Sequence, residues 1–182
     1  MIVEDTEIDK VKVINSEPFI DERGYFNRIF SQEELKSIEE DMIIEQMNYS
    51  MTRFKGTVRG LHFQYPPHAE IKIVRCSKGS IFDVAVDLRR TSPTFLRWHG
   101  EILSAENMKA LVVPEGFGHG FQSLEDNIEM IYLHTKSYNP DFEGSLRYDD
   151  LKIAIEWPID VSFVSQKDLS AKYVTDDFEG IL

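Results

Sequence analysis

The stretch Ile81-Phe82-Asp83-Val84-Ala85-Val86-Asp87-Leu88 is mostly apolar on both of its alternating sets. A β-strand with one wet face alternates apolar with polar side chains, so this run predicts a strand covered on both faces, by a second sheet or a second subunit. Turn signals bound it, Ser77-Lys78-Gly79 before and Thr91-Ser92-Pro93-Thr94 after. Beyond those turns short apolar alternations recur at residues 71–76, 98–103, 109–113, 117–123 and 129–135. Many short strands punctuated by turns predict an all-β sandwich or barrel.

The rest of the 182-residue chain fits that frame. Its 10 glycines and 7 prolines are scattered, with no internal repeat, low-complexity tract or linker, and its length suits one domain over residues 1–182. With 20 basic against 32 acidic side chains the formal charge is −12. That charge opposes indiscriminate binding to nucleic acid or an anionic membrane, so an anionic ligand must meet local cations. No apolar run approaches the roughly 18 residues that span a bilayer. Met1-Ile2-Val3-Glu4-Asp5 lacks the basic start and apolar core of a signal peptide, which makes the cytoplasm the expected compartment. The single Cys76 has no intrachain disulfide partner and no zinc-knuckle spacing, and is expected as a small buried apolar residue.

Only two short segments read as helical. Ser31-Gln32-Glu33-Glu34 has capping-box spacing and leads into a stretch to Glu40, with Leu35 and Ile38 on one face. The other is a turn near Ser165-Gln166-Lys167-Asp168. The acidic side chains around the first are expected to form a solvated face.

Polar information is densest in Arg59-Gly60-Leu61-His62-Phe63-Gln64, followed by Lys72 on the next strand. Strand parity puts His62 and Gln64 on one face and Leu61 and Phe63 on the other. Two inward cations from adjacent strands, Arg59 and Lys72, are costly unless an anion meets them. In Pro114-Glu115-Gly116-Phe117-Gly118-His119-Gly120-Phe121, Pro114 is expected to end a strand and the three glycines to let the backbone bend around an inward His119. The spacing P-x-G-x-x-H is also similar to a metal motif of the cupin superfamily. A metal site needs a companion such as His-x-His plus a carboxylate, however, and position 64 is Gln, with His68 and Glu70 awkward substitutes; no metal is expected. Tyr132 shares a strand face with Met130 and His134, and Asp168 lies near the C-terminal end. The residues by themselves thus predict a metal-poor β-sandwich with a site for an anionic small molecule.

The same residues carry a resemblance that covers nearly the whole chain. In order they are Asp21-Glu22-Arg23-Gly24-Tyr25-Phe26, Gln46-Met47-Asn48-Tyr49-Ser50, Val58-Arg59-Gly60-Leu61-His62-Phe63-Gln64, Lys72, Gly79, the run from Phe82 to Arg89, Ser92-Pro93-Thr94 and the block from Pro114 to Phe121. Tyr132, Tyr138, Trp157-Pro158 and Ser165-Gln166-Lys167-Asp168 complete it. This collinear series resembles the dTDP-4-dehydrorhamnose 3,5-epimerase family of nucleotide-sugar 3- or 3,5-epimerases. The resemblance implies a cupin-type double-stranded β-helix, a jelly-roll sandwich with a few short helices. It also implies a homodimer whose N-terminal segment reaches the partner's site. The implied reaction needs no cofactor and acts on a nucleotide-diphosphate-linked 4-keto-6-deoxy sugar.

For the chemistry the resemblance implies His62 as the base that removes the proton alpha to the ketone, with Asp168 fixing its tautomer. Lys72 would face the oxygen where enolate charge grows, and Tyr132, with a phenol reference pKa of about 10, would return a proton from the opposite face. Substrate binding would fall to Arg23 and Arg59 at the diphosphate and to Gln46 and Asn48 near the sugar phosphate. Tyr138 and Phe26 would stack on the base, and His119, Glu143 and Lys167 would line the site. Asp83 and Arg89 match as well and are expected to be structural.

Three positions depart from the family pattern. Phe26-Asn27-Arg28 puts a cation where a carboxylate would help hold the base, Glu70-Ile71 replaces the common Gln-Gly, and Tyr148-Asp149-Asp150 replaces Trp-Asn-Asp. A guanidinium donates hydrogen bonds where a carboxylate accepts them, so Arg28 removes the implied preference for thymine, and the three departures together leave the substrate, and inversion at C3 alone or at both C3 and C5, unassigned. Two alternatives stand beside the epimerase. A metal-dependent cupin enzyme would be inactivated by a chelator, and a non-catalytic sugar-nucleotide binding protein would put no solvent deuterium into the sugar.

Overall fold

The computed structural model describes residues 1–181. In chain order its elements are β1 (Ile2–Asp5), β2 (Lys12–Asn15), β3 (Phe19–Asp21), β4 (Gly24–Phe26), α1 (Gln32–Leu35), β5 (Gln46–Thr52), β6 (Thr57–Gln64), β7 (Lys72–Lys78) and β8 (Ser80–Asp87). There follow β9 (Trp98–Ser104), β10 (Ala110–Val113), β11 (Phe117–Ser123), β12 (Ile128–His134), β13 (Glu143–Ser145), β14 (Phe163–Val164) and α2 (Gln166–Leu169). One sheet runs β1-β2-β10-β7-β12-β5 and the other β13-β6-β11-β8-β9, with β14 pairing β6. From β5 to β8 successive strands alternate between the sheets, and β10, β11 and β12 alternate again, so the chain winds as a jelly roll. Strands β3 and β4 form a separate hairpin.

The doubly apolar run falls on β8, next to β11 and β9. Ile81 and Ala85 face the space between the sheets, packed with Val74, Cys76, Leu111, Phe117, Phe121 and Met130. Val84 and Val86 face the other way, against Leu61, Phe63, Leu146, Ile153, Val174 and Ile181. The expectation of a second sheet therefore holds for one face. The other face is covered by the chain's own C-terminal segment and not by a second subunit, because residues 146–181 supply the apolar side chains it needs. The outer face of the first sheet is covered by Leu35 and Met42 around α1. Cys76 is buried as expected, and burial pushes its thiol up to about 11.

Ser31 caps α1 as the sequence suggests, its Oγ accepting from the Glu34 N–H at 3.4 Å. The helix stops at Leu35 rather than near Glu40. The Ser37 hydroxyl donates to the Glu34 carbonyl at 2.7 Å, and the following backbone bonds close three-residue turns, with Ser37 N–H on Glu34 and Ile38 N–H on Leu35. A side chain that bonds nearby backbone competes with helix continuation.

Candidate active site

Strand β6 sets the floor of the site. His119 pairs with His62 across β11, yet Phe121 pairs with Arg59, so the register slips by one residue at Gly60. Gly60 has φ +122°, and a Cβ there would stand 2.6 Å from the Gly120 Cα and the His119 carbonyl oxygen. Only glycine fits both the backbone and the space. Because of the slip, Arg59 does not follow Leu61 and Phe63 to the outer face but reaches Thr52 of the opposite sheet, Nη1 to Oγ1 3.4 Å. Gly118 and Gly120, expected as bends, lie within the strand β11. They allow close packing instead: a Cβ on Gly118 would meet Leu88 at 3.2 Å, and one on Gly120 the Arg59 carbonyl oxygen at 3.0 Å. Gly116, just before the strand, does turn, with φ +85°.

His62 and Asp168 meet across 106 residues of sequence. The His62 Nε2 lies 2.6 Å from the Asp168 Oδ1. Ser165 caps α2 and turns Asp168 toward β6, where the carboxylate is 3% exposed and also accepts from the Gly60 N–H at 3.5 Å. Burial raises the Asp168 pKa, but hydrogen bonds and charge from His62, with Ser165 and Gly60, outweigh it and hold the carboxyl below its ordinary value. A carboxylate there takes the Nε2 proton and leaves Nδ1 as the basic nitrogen.

The facing sheet supplies the complementary groups. Tyr132 on β12 is packed into the inter-sheet core with its hydroxyl 3.2 Å from the Ser50 Oγ. Burial pushes its phenol up to about 12, so it stays protonated well above neutrality. Lys72 begins β7, beside His134 in the register. Arg59 and Lys72, expected on adjacent strands, are thus on opposite sheets: they follow one another in sequence, but the roll sends β6 and β7 to different layers.

A cavity of about 380 Å³ opens between the sheets, lined by His62, Lys72, Gln46, Asn48, Glu70, His134, Tyr138 and Glu143 among others. At its edge Lys167 Nζ lies 2.7 Å from both Glu143 oxygens, and the Tyr138 hydroxyl donates to Glu143 at 3.2 Å. Burial raises the Glu143 pKa, but Lys167 and Tyr138 bring it below the usual range. Behind the cavity His119 Nε2 is 2.9 Å from Asp83 Oδ1, and the buried Asp83 Oδ2 has no hydrogen-bond partner among the described residues. Burial holds the Asp83 pKa above normal despite His119 and Lys72.

Glu70 and His134 were the residues the sequence undervalued. Glu70 takes Lys72 Nζ at 3.2 Å and His134 Nδ1 at 2.8 Å. Burial alone would raise its pKa, but His134 and Lys72 lower it below the usual value. Strand parity with Tyr132 was a signal for His134; Glu70 precedes its strand and had none beyond proximity to Lys72. Among the described residues no group of three or more His, Cys, Asp or Glu side chains is arranged to hold a metal ion. Gln64 is instead buried and bonded to the His68 carbonyl and the Asn139 N–H.

Arg23, Phe26 and Arg28 are not brought to this cavity within one chain. Phe26 and Arg23 sit on or beside the exposed β3–β4 hairpin, Arg23 bonded to Asp21, and Arg28 faces Glu34 at 3.5 Å. The reason is distance along the fold: the hairpin pairs only with itself.

Fold and cavity together define a jelly-roll protein with a polar pocket between its two sheets, lined by His62 from one and Lys72 from the other. The chain belongs to the dTDP-4-dehydrorhamnose 3,5-epimerase family, whose profile matches residues 5–176, and it is an isomerase. The dTDP-4-dehydrorhamnose 3,5-epimerase of Salmonella typhimurium is 44% identical over 173 residues, 94% of this chain and 92% of that protein. The enzyme of the same name from Elizabethkingia anophelis superposes with a TM-score of 0.91 at 35% identity, covering 98% of each chain. The Legionella pneumophila dTDP-6-deoxy-D-glucose-3,5-epimerase, crystallised with dTDP-4-keto-L-rhamnose, gives 0.89 at 38% identity over 94% of this chain and 92% of its own.

Proposed function

We propose that the protein epimerises the carbons flanking the ketone of a dTDP-linked 4-keto-6-deoxy sugar, a step of rhamnose-type deoxysugar biosynthesis. The observation that carries this is the division of groups between layers. His62, backed by Asp168 of α2, stands on one sheet and Lys72 on the other, both lining one cavity, while the neutral phenol of Tyr132 is packed between the layers on the Lys72 sheet, outside that lining. Epimerisation needs a base and an acid on opposite faces of one carbon, and a sugar ring lying between the sheets meets both.

His62 takes the alpha proton on Nδ1, and the C–H electron pair becomes the enolate. Asp168 stabilises the resulting imidazolium. Lys72 faces the ketone oxygen, where its attraction grows as negative charge develops. Tyr132 then gives its proton to the opposite face of the carbon, and solvent reprotonates the phenolate while the imidazolium releases its proton. Arg59 holds the diphosphate, Gln46 and Asn48 the sugar-phosphate region, and Tyr138 the base, with His119, Glu143 and Lys167 completing the wall.

The remaining binding groups come from a second copy. Phe19 and Ile20 are 75% and 78% exposed, and Tyr25, Phe26 and Arg23 lie on the same hairpin, which supports a homodimer in which this hairpin closes the partner's cavity. Arg28 is then the residue that sets the preference for the base. No helix among the described residues is long and apolar enough to cross a membrane, and the cytoplasm is the compartment proposed.

The test is incubation in deuterium oxide with 4-keto-6-deoxyglucose linked to thymidine, cytidine or guanosine diphosphate, followed by proton NMR of the sugar. Deuterium at C3 and C5 of the thymidine substrate is expected. Deuterium at C3 alone would make it a 3-epimerase, and no incorporation with any of the three would refute the proposal.

A further inference from the structure

We infer that Glu70 and His134 are a positioning pair, in which His134 shares the Glu70 carboxylate with Lys72 and so limits its hold on the ammonium, and in which His134 holds the Gln46 and Asn48 amides in one orientation. This rests on the proposed role of Lys72. The support is a chain of hydrogen bonds crossing three strands, in which four successive donors point toward Glu70 and Lys72 meets that carboxylate from the other end. The Tyr138 backbone N–H donates to Gln46 Oε1 at 3.0 Å, Gln46 Nε2 to Asn48 Oδ1 at 3.0 Å, and Asn48 Nδ2 to His134 Nε2 at 3.2 Å. His134 Nδ1 then donates to Glu70 Oε2 at 2.8 Å, and Glu70 Oε1 receives Lys72 Nζ at 3.2 Å.

Two consequences follow from the donor and acceptor inventory. A neutral imidazole with Nδ1–H has one lone pair, on Nε2, so it accepts only the NH₂ end of Asn48; that choice in turn fixes Gln46. At the other end the Glu70 carboxylate, 6% exposed, needs donors on both oxygens. His134 satisfies one of them. Without it, Lys72, already bonded to one oxygen, is the remaining strong donor and is drawn more tightly onto the carboxylate, away from a developing enolate oxygen. His134 thus limits the hold of a buried acid on the ammonium bonded to it.

The test compares deuterium incorporation by the full chain and its His134→Ala, Glu70→Gln and His134→Ala/Glu70→Gln variants, with Lys72→Ala alongside. His134→Ala is expected to lower kcat roughly tenfold, the size of one lost charge-assisted hydrogen bond, and to raise KM severalfold through Asn48. Neutralising the acid removes its grip on Lys72, so the double variant is expected to recover kcat to within about threefold of Glu70→Gln while KM stays raised. A merely structural histidine would show no such rescue, and a double variant no faster than His134→Ala overturns the inference. If His134→Ala does not fold, His134→Gln, whose amide still donates to Glu70, takes its place and is expected to keep kcat within about threefold of wild type; a tenfold fall there would also overturn it. Lys72→Ala separates the two levels: wild-type incorporation by that variant would refute the functional proposal itself. Abolished incorporation, with His134→Ala unchanged from wild type, would refute only the positioning pair.

Discussion

Replacing Asp168 by Asn keeps the shape of the side chain and removes the charge that faces His62. The lost contact is a 2.6 Å charge-assisted hydrogen bond, of a kind that contributes about 1.5–3 kcal/mol. His62 is 33% exposed, so water screens part of that and the lower half of the range applies. The amide adds a second penalty, because its NH₂ can donate to Nε2 and so favour the tautomer with the proton on Nδ1, where the base needs its lone pair. Together these are worth about 2–4 kcal/mol, or a fall in kcat of about 30- to 900-fold. The assay is deuterium incorporation at saturating substrate, with a thermal melt as control. The fold is expected to survive, since the amide oxygen still accepts from Gly60. A kcat within about threefold of wild type, with an unchanged melt, would refute the role of the carboxylate. The same variant tests linkage. Asp168 has a depressed pKa in the folded chain, so its stability contribution is complete above the unfolded value of about 3.9 and is lost as pH falls through the lower folded value. The wild-type advantage in Tm over Asp168→Asn should therefore shrink below about pH 4.

Tyr132→Phe removes the proton donor and leaves the base, so exchange from the His62 face is expected to continue while inversion slows by about 100-fold or more; equal loss of both, measured by NMR, would count against an acid on the opposite face. Gly60→Ala places a Cβ 2.6 Å from backbone at φ +122° and is expected to cost roughly 2–5 kcal/mol, read as a clear drop in Tm. An unchanged melt would show that the bend does not need glycine. Burial pushes the Cys76 thiol up to about 11, so it stays protonated and shielded at pH 8, and thiol reagents should label it only after denaturant is added; rapid stoichiometric labelling of the native chain would contradict its burial.

The strand bounds show how much was local. The expected segment 117–123 is β11 itself, and the segments around Ile81, Trp98 and Glu129 lie within a residue or two of β8, β9 and β12. Their alternation is a property of neighbouring residues. Strands β1 and β5 escaped, because Gln46-Met47-Asn48-Tyr49-Ser50-Met51-Thr52 is largely polar or exposed and both are edges of their sheet. Such strands are held by pairing more than by burial.

The sequence by itself determined that the chain is all-β and that β8 is covered on both sides, and its resemblance pointed to His62, Lys72, Tyr132 and Asp168 as the proposed proton-moving groups. Strand parity said which of them could share a face. It could not say which sheet each strand joins, so the tertiary structure alone decided that Tyr132 and Lys72 stand on the sheet opposite His62 and not in the same layer. It also decided that a one-residue slip at Gly60 turns Arg59 toward the opposite sheet, and that Glu70 joins His134 to Lys72. These are pairings between residues far apart in the chain, set by the winding of the roll and by which buried polar groups find partners, and no local pattern encodes them.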